Sequence, residues 1–197
     1  MTVGIVIVAA GLGTRFRQQS GNPRANKLMA GCAVVGELVL PVFTHALRHA
    51  LQASDNVMVV TRPDYYEIQR QSERSGCRCI YLDSAGLGES IAAGVQNTPD
   101  WQGWLIALAD MPFIQPKTFT TVANSLASNV IARPVYQQQA GHPVGFGADF
   151  RSELMALQGD NGARSLFQRC TPLMIPVDDA GVLRDIDKPD DLIDPIF

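Results

Sequence analysis

Ile5-Val6-Ile7-Val8-Ala9-Ala10-Gly11-Leu12-Gly13-Thr14-Arg15 carries the strongest structural signal in this chain of 197 residues. Its β-branched half predicts a fully buried strand. Gly11 and Gly13 predict a tight loop that can approach a ligand closely, because neither residue has a Cβ atom. Backbone N–H groups in such a loop can bind an anion, and Arg15 adds donors suited to phosphate, although an ordinary tight turn would have the same sequence. A dinucleotide-binding fingerprint is excluded because Phe16 stands where its third glycine would be, and no Gly-Lys-Ser/Thr of a P-loop occurs.

Two charged residues follow at positions that favour ligand binding. Lys27 comes after a polar segment, Arg17 to Ala25, which shows no hydrophobic period and is predicted to be a loop. A second apolar run, residues 104–109, predicts a buried strand that ends at Asp110. Open α/β sheets bind ligands at the carboxyl ends of their strands, so Asp110 is a candidate ligand-binding carboxylate. The alternatives are a solvated surface lysine at position 27 and a turn-capping aspartate at position 110.

A third charged motif lies near the end of the sequence. Asp185 and Asp187 alternate with Ile186, so on an extended chain both carboxylates point to one face. Pro189 is predicted to open a helix, and the acidic residues at 190 and 191 are interpreted as favourable charges in its first turn.

The hydrophobic pattern alternates strands with helices. Strands are predicted at residues 3–8, 57–60, 79–82, 104–109, 130–134 and 174–176. Helices are predicted at residues 40–52, 63–74, 90–96, 116–127, 148–157 and 162–169, and from Pro189 onward. This alternation predicts an α/β protein with three αβα layers, in which helices cover both faces of a doubly wound, mainly parallel sheet. Residues 1–197 are predicted to form a single domain.

Composition narrows the classes of partner. The formal net charge is −3, hydrophobic residues make up 46% and charged residues 18%, and no basic run occurs. Nucleic acid is therefore an unexpected partner, because phosphodiester polymers require a positively charged surface. The sequence contains no stretch of about 18 apolar residues, the length needed to span a membrane. The first strand also lacks the basic start and the cleavage pattern of a signal peptide. We expect a cytoplasmic protein.

The cysteines and two of the histidines show no pattern of catalysis. The four cysteines are scattered without metal-binding spacing and are expected to be free thiols. His45 and His49 lie four residues apart on one predicted helix, but Ala46 stands where a zinc-protease glutamate would be. They are interpreted as a structural pair on the helix surface. His142, between Gly141 and Pro143, is predicted to lie in a loop.

Six motifs, in order along the chain, carry a resemblance to a known family. They are Ala9-Ala10-Gly11-Leu12-Gly13-Thr14-Arg15, Asn26-Lys27-Leu28, Leu108-Ala109-Asp110-Met111-Pro112, Gly141-His142-Pro143-Val144, Gly159-Asp160-Asn161-Gly162-Ala163-Arg164 and Asp185-Ile186-Asp187-Lys188-Pro189-Asp190-Asp191-Leu192. Together they resemble the MobA-like nucleotidyltransferases, and the fourth and fifth motifs resemble those of the molybdenum cofactor cytidylyltransferases. The sequence departs from that pattern in a longer stretch between Arg15 and Lys27 and in a longer, more apolar segment at residues 31–40.

The resemblance implies a Rossmann-like fold of the nucleotide-diphospho-sugar transferase type and transfer of CMP from CTP to molybdopterin. The implied catalytic residues are Arg15 and Lys27. The implied nucleotide-binding residues are Ala9, Ala10, Gly11, Leu12, Gly13, Thr14, Arg15, Lys27, Ser90, Gly94 and Asp110. The implied Mg²⁺ ligands are Asp110 and Asp187, with Asp185 as the alternative second ligand. The implied acceptor-binding residues are His142, Asp160 and Arg164, and Asp160 or Asn161 is predicted to cap the helix that follows.

Other functions remain open at this stage. The enzyme could use another nucleotide or acceptor, such as GTP with molybdopterin or a sugar phosphate. It could instead be a non-catalytic carrier of the molybdenum cofactor, although a carrier has no use for a metal–triphosphate site. A molybdoenzyme of the xanthine dehydrogenase type is a candidate recipient of the product. Ser90 is equally compatible with a helix N-cap.

Overall fold

A mixed, mostly parallel β-sheet flanked by helices forms the centre of the computed structural model, which describes residues 1–192. The strands are β1 (Val3–Ala9), β2 (Gly31–Cys32), β3 (Leu40–Pro41), β4 (Val57–Thr61), β5 (Arg78–Tyr81), β6 (Gly103–Leu108), β7 (Ile131–Tyr136), β8 (Gln139–Ala140), β9 (Val144–Gly147) and β10 (Leu173–Pro176). The α-helices are α1 (Thr14–Ser20), α2 (Val42–Ala53), α3 (Tyr66–Arg74), α4 (Leu87–Gln96), α5 (Pro116–Asn124) and α6 (Arg151–Met155). Short 3₁₀ turns occur at Lys27–Met29, Ala148–Phe150, Arg164–Gln168, Ala180–Leu183 and Pro189–Leu192.

The order of the strands creates a switch point beside β1. The central sheet runs β10-β7-β9-β6-β1-β4-β5, with β8 paired to β7. β1 is parallel to both β4 and β6, β4 to β5, and β7 to β10, whereas β9 is antiparallel to β6 and β7. The chain leaves β1 toward β4 and β5 and then returns to the other side of β1 as β6. Ligands bind at such a reversal in open α/β sheets, outside the carboxyl ends of the strands.

Both faces of the sheet are packed, which explains why β1 and β6 are apolar throughout. In β1, Ile5 and Ile7 face a core that contains Phe43 and Leu47 of α2, while Val6 faces a second core on the opposite side of the sheet. All three of these β1 side chains are at most 1% exposed. The predicted doubly wound αβα arrangement is confirmed, because α2 and α4 cover opposite faces of the same strands.

Several boundaries differ from the predictions for physical reasons. The first part of the loop predicted at residues 17–25 belongs instead to α1 (Thr14–Ser20). Only Phe16 of this polar helix is buried, so its hydrophobic periodicity is weak. Strand β9 was not predicted, because two of its four residues are glycines. The predicted helices at 148–157 and 162–169 are shorter: α6 has five residues, and the second is a five-residue 3₁₀ turn. The helix predicted from Pro189 begins as a 3₁₀ turn, and residues 193–197 lie outside the described residues.

The segment at residues 31–40 forms a short antiparallel hairpin, in which Gly31 pairs with Pro41. This hairpin covers one side of α2, so the interpretation of His45 and His49 as surface residues is wrong. His45 is 0% exposed and His49 is 4% exposed. The four cysteines form no disulfide, as predicted. Within the described part of the chain, no helix combines the length and the apolar character needed to cross a membrane.

Candidate functional site: two adjoining cavities

A cavity of about 450 Å³ opens at the switch point, beyond the carboxyl ends of β1 and β6. Its lining combines the glycine loop after β1, the start of α4 and charged side chains from distant parts of the chain. The lining residues are 8–14, Lys27, Leu28, 84–87, Ser90, Leu108, Asp110 and Asp160. Most of the residues predicted to bind a nucleotide therefore lie around one cavity.

The glycine loop is held in place by neighbouring elements. The Tyr65 hydroxyl donates a hydrogen bond to the Gly11 carbonyl at 3.0 Å, and the buried Thr61 hydroxyl donates to the Ala9 carbonyl at 3.2 Å. Gly13 has a φ of 62°, a left-handed conformation that favours glycine, and it directly precedes α1. The chain can thus turn sharply from a buried strand into a helix at the cavity wall.

Lys27 and Asp110 form the central charged pair of this cavity. The Lys27 Nζ atom lies 2.5 Å from Asp110 Oδ2 and 3.8 Å from Asp187 Oδ1, and it donates a hydrogen bond to the Ile186 carbonyl at 2.9 Å. The Lys27 side chain is only 12% exposed. It is therefore not a solvated surface lysine, and its ammonium group faces the cavity from the 3₁₀ turn at Lys27–Met29.

The carboxylates around Asp110 fit a divalent cation. Asp110 Oδ1 is buried and has no hydrogen-bond partner. Burial, together with the charges of Asp110 and Asp187, raises the pKa of Asp185, so three carboxylates share one region. An unpartnered carboxylate oxygen beside two further acidic groups is the donor chemistry that Mg²⁺ uses, with the remaining coordination positions filled by phosphate oxygens and water.

Arg15 lies at the edge of the cavity and not in its lining. Its side chain is 77% exposed and its Nη1 atom lies 2.9 Å from Asp187 Oδ2. The side-chain ion pair between Arg15 and Asp187 thus links α1 to the segment around Asp187. Both side chains are exposed enough to separate when an anion or a cation enters, because an exposed ion pair contributes only about 0–1 kcal/mol.

Ser90 and Gly94 occupy different environments on α4. Ser90 is 1% exposed, lines the cavity, and donates a hydrogen bond to the Ser84 hydroxyl at 2.9 Å. It is not the N-cap, since α4 begins three residues earlier, after Gly86. Gly94 packs on the sheet, where a Cβ would lie 2.5 Å from Val6 Cγ1, and it is not among the residues that line the cavity.

A loop near residue 159 closes the cavity against the start of α4. The Gly88 N–H donates to the Gly159 carbonyl at 2.8 Å, and the Gly159 N–H donates to Glu89 Oε1 at 2.9 Å. This second bond lowers the pKa of Glu89. A Cβ on Gly86 would lie 2.5 Å from the Gly159 backbone, so only glycine permits this approach. The contact places Asp160 in the cavity wall.

A second cavity of about 470 Å³ adjoins the first, and the two share Leu87 and Leu108 in their walls. Its lining is largely apolar, with a cationic and polar edge. The lining residues are Leu87, Ile91, Ile106, Leu108, Arg133, His142, Val144, Phe146, Asn161, Ala163, Arg164 and Phe167. Of the predicted acceptor residues, His142 and Arg164 line this second cavity, whereas Asp160 lines the first.

His142 presents a buried, unpartnered nitrogen to this region. Its Nδ1 atom has no hydrogen-bond partner. Burial and the charge of Arg133 lower its pKa to about 4, although a hydrogen bond with the Ile106 backbone acts in the opposite direction. The imidazole is therefore neutral at pH 7. The position of this residue is fixed because its backbone N–H donates a hydrogen bond to the Val182 carbonyl at 2.9 Å.

Arg133 was not identified from the sequence. Its guanidinium donates hydrogen bonds to the carbonyls of Ala140 and Gly141 and lies 5.1 Å from the centre of the Phe167 ring. Burial and the charge of Arg164 lower its pKa, so the two arginines stand near each other at one cavity. The sequence feature that could have identified it is a charged residue within the apolar strand predicted at residues 130–134.

The prediction that Asp160 or Asn161 caps a helix is wrong. The element that follows is the 3₁₀ turn at Arg164–Gln168, its N-cap is Ala163, and no side chain caps it. Gly159 and Gly162 both have positive φ values, so the chain turns twice here instead of entering a helix. Asp191, by contrast, accepts hydrogen bonds from the backbone N–H groups of Asp187 and Lys188 at the start of the 3₁₀ turn at Pro189–Leu192.

Comparison with known proteins identifies the family. The pattern of the family described as "MobA-like NTP transferase domain" matches residues 5–173. A sequence comparison with curated proteins finds no match. The chain thus belongs to the MobA-like NTP transferase family, and nucleotidyl transfer, typically with a divalent metal, is the chemistry of that family.

Solved structures share the fold at low sequence identity. A nucleotidyl transferase from Methanothermobacter has a TM-score of 0.79 at 20% identity, with 96% of this chain and 94% of that chain covered. Rv0371c from Mycobacterium tuberculosis, solved in complex with manganese, has a TM-score of 0.73 at 20% identity, covering 97% and 96%. A cytidylyltransferase from Leptospira borgpetersenii has a TM-score of 0.71 at 14% identity, covering 97% and 83%.

Proposed function

We propose that this member of the MobA-like NTP transferase family transfers CMP from CTP to the terminal phosphate of a molybdopterin-type acceptor and releases pyrophosphate. The observation that carries the proposal is the pair of adjoining cavities, one with a glycine loop and a lysine–aspartate pair, the other with two arginines and a neutral histidine. Two cavities that share a wall can hold a nucleotide and an acceptor with their phosphates close together. One solved structure with the same fold is named a cytidylyltransferase, which supports the choice of CTP as the nucleotide.

The first cavity is assigned to the nucleotide. The base would lie over Ala9 and Ala10, with Ser90 at its edge, and the backbone of the glycine loop would hold the β- and γ-phosphates. Lys27 would bind the α-phosphate, and Arg15 would turn from Asp187 toward the triphosphate. Both cations are already at this edge of the sheet, so little rearrangement is required.

The second cavity is assigned to the acceptor. Arg133 and Arg164 are suited to its anionic groups, because guanidinium groups bind phosphate through paired donors. The unpartnered His142 Nδ1 can accept a hydrogen bond from an N–H group of a pterin, since the neutral ring keeps its lone pair at pH 7. The apolar wall and the Phe167 ring are suited to a flat heterocycle.

The reaction proposed is an in-line displacement at the α-phosphorus. An oxygen of the acceptor phosphate forms a bond to that phosphorus, and the bond from the α-phosphorus to the bridging oxygen breaks, so that pyrophosphate carries away the electron pair. No general base is needed, because the second pKa of a phosphate is about 6 and its oxygens are largely ionised at neutral pH. Lys27 would stabilise the charge that builds on the α-phosphate oxygens.

A Mg²⁺ ion is proposed as the metal. Asp110, through its unpartnered Oδ1, is the first ligand that we propose, and Asp187 is the second, with Asp185 as the alternative. When bound, the cation would neutralise phosphate charge and fix the triphosphate. Lys27, released from its 2.5 Å contact with Asp110, would then be free to hold the nucleotide.

The other candidate functions share the first cavity. GTP in place of CTP, or a sugar phosphate in place of molybdopterin, would leave Lys27 and Asp110 with the same roles. The apolar wall of the second cavity favours a heterocyclic acceptor over a sugar. A non-catalytic carrier is disfavoured because it would not use the Lys27–Asp110 pair. A molybdoenzyme of the xanthine dehydrogenase type is our candidate recipient, and the cytoplasm, where nucleoside triphosphates are available, is the proposed location.

His142→Ala tests the assignment of the second cavity. We expect nearly normal CTP affinity by calorimetry and strongly reduced turnover of the molybdopterin acceptor, because only the acceptor contacts this side chain. Lys117→Ala, at an exposed position on α5, is the control and should change neither quantity. Equal turnover by wild type and His142→Ala would remove His142 from the acceptor site, and loss of CTP binding would contradict the division into two sites.

A further inference from the structure

A second group of metal-binding side chains lies outside the two cavities. Glu37, in the turn of the β2–β3 hairpin, faces His45 and His49 on successive turns of α2. Glu37 Oε2 lies 2.9 Å from His45 Nδ1, and Glu37 Oε1 lies 2.9 Å from His49 Nε2. One potential ligand atom from each of the three residues lies within 4.8 Å of the others. Among the described residues, this is the one group of three or more such side chains that converges in this way.

The His45 ring faces more hydrogen-bond acceptors than a neutral imidazole can satisfy. His45 Nδ1 faces the Glu37 carboxylate and His45 Nε2 faces the Cys32 carbonyl at 3.1 Å, so both ring nitrogens meet acceptors. A neutral imidazole has a single N–H and can donate to only one of them. His49 Nδ1 is buried without any partner. A cation between His45 Nδ1 and the carboxylate would leave the single His45 N–H free to donate to the Cys32 carbonyl.

We propose that Glu37, His45 and His49 form a binding site for a divalent transition metal such as Zn²⁺. The ligand atoms are His45 Nδ1, His49 Nε2 and one Glu37 oxygen, a His₂Glu set that zinc accepts. Ligands of a tetrahedral zinc stand roughly 3.3 Å apart, because each bond is about 2.0–2.1 Å long. Each histidine nitrogen lies 2.9 Å from a different Glu37 oxygen, and one atom from each residue lies within 4.8 Å of the others, so the side chains must adjust to bring one oxygen and both nitrogens to that spacing.

The surroundings of the cluster support metal binding. With its proton on Nε2, His45 would donate to the Cys32 carbonyl and keep Nδ1 free to coordinate, and metal-binding histidines usually donate their other ring N–H in this way. Burial alone would raise the pKa of the Glu37 carboxyl. Hydrogen bonds with His49 and His45 and the charge of Arg48 outweigh this effect and hold the pKa below its ordinary value. The ligand is therefore ionised at neutral pH. Glu37 is 23% exposed, which leaves an entry path and room for a water ligand.

The bound metal would fasten the hairpin to α2. Glu37 lies in the turn and both histidines lie on the helix, so one ion would join the hairpin to α2. The contact of His45 Nε2 with the Cys32 carbonyl would link β2 to the same ligand. The hairpin begins directly after the 3₁₀ turn that carries Lys27, and the Val42 N–H at the start of α2 donates to the Ala30 carbonyl. The site is distinct from the Asp110 carboxylates, because imidazole ligands select zinc whereas Mg²⁺ prefers oxygen.

Zinc titration of the full chain in the presence of excess Mg²⁺ tests the proposal. We expect one Zn²⁺ per chain by calorimetry, an increase in melting temperature, and a change in the ring ¹⁵N resonances of His45 and His49 but not of His142. His45→Gln and His49→Gln should each weaken zinc binding more than the roughly 10–100-fold caused by losing a supporting hydrogen bond. The NMR measurement uses the unmutated chain, so it stands even if a variant folds poorly.

Two matched variants separate this site from the rest of the molecule. His142→Gln removes the third histidine and should keep the wild-type zinc affinity, and Asp110→Asn should do the same if zinc does not enter the nucleotide cavity. The proposal is overturned if the wild-type chain binds no zinc, if His45→Gln binds as tightly as wild type, or if Asp110→Asn abolishes binding. In each of those cases the cluster is a hydrogen-bonded network that holds the hairpin.

Discussion

Among single residues, Lys27 has the most direct part in the proposed reaction, because its largely buried ammonium group is the cation that lines the first cavity. Its position depends on the Asp110 carboxylate and the Ile186 carbonyl, which belong to segments far away in sequence. The residue type and its place after the glycine loop were predictable from the sequence. Its three oxygen neighbours were not, since they meet only when β6 and the chain near residue 186 come together.

Lys27→Ala should lower the rate of nucleotidyl transfer by ~10²–10³, the usual effect of removing one preorganised donor from a developing oxyanion. Lys117→Ala, an exposed lysine on α5, serves as the control and should retain the wild-type rate. Pyrophosphate release under saturating nucleotide measures both. Equal rates in the two variants would show that Lys27 takes no part in the transfer.

His142 makes stability depend on pH in a direction that the pKa fixes. Its pKa is about 4 in the folded protein and about 6.5 in the unfolded chain, so the unfolded chain takes up the proton first as the pH falls. His142 therefore does not lower the free energy of unfolding above pH ~6.5, and it lowers that free energy progressively as the pH falls from ~6.5 to ~4. The full effect is at most about 3 kcal/mol, since one pKa unit corresponds to ~1.4 kcal/mol.

His142→Gln removes this titration. Its free energy of unfolding should fall less than that of wild type between pH 6.5 and 4, and urea unfolding at several pH values measures the difference. Parallel curves for the two proteins would show that His142 has an ordinary pKa in the fold.

At the scale of elements, the long apolar runs were the easiest to predict and the short or polar ones the hardest. Strands β1 and β6 are buried on both faces, so their sequences are apolar without interruption. Helix α1 and strand β9 show no such pattern, because one is mostly solvated and the other contains two glycines. Arg133 was not predicted for a related reason. It lines a cavity beside β7, and no local sequence pattern indicates that cavity.

The contact between α4 and the loop at residues 158–160 shapes the first cavity, and a substitution that adds one methyl group to α4 tests it. In Gly88→Ala the new Cβ would lie 2.7 Å from the Gln158 backbone, so the loop must shift. We expect a loss of about 1–3 kcal/mol in the free energy of unfolding and weaker CTP binding, because Asp160 moves with the loop. Denaturant unfolding and calorimetry measure the two effects.

Gly31→Ala is the matched control for this substitution. Its Cβ would meet only Val39, at 3.4 Å, so neither stability nor CTP binding should change appreciably. If Gly88→Ala behaved like this control, the close approach of the loop to α4 would not be required for nucleotide binding.

At the scale of the whole molecule, the order of strands determines where function is located. The reversal at β1 brings the glycine loop, Asp110 and the segment around Asp187 to one edge of the sheet. The sequence predicted this edge because both buried strands end in residues suited to phosphate and metal. The resemblance also indicated His142 and Arg164 of the second cavity, but not its shape, which depends on the antiparallel strand β9 and on the approach of Arg133 to Phe167.

The central claim is that a nucleoside triphosphate and a phosphorylated acceptor react across these two cavities. The most direct measurement is pyrophosphate release from CTP, GTP, ATP and UTP in parallel, each with and without the molybdopterin acceptor, in Mg²⁺ and after chelation. We expect release with CTP that requires both acceptor and Mg²⁺, together with a CMP-conjugated product detected by mass spectrometry. Nucleotide or acceptor binding without pyrophosphate release from any of the four triphosphates would contradict the account.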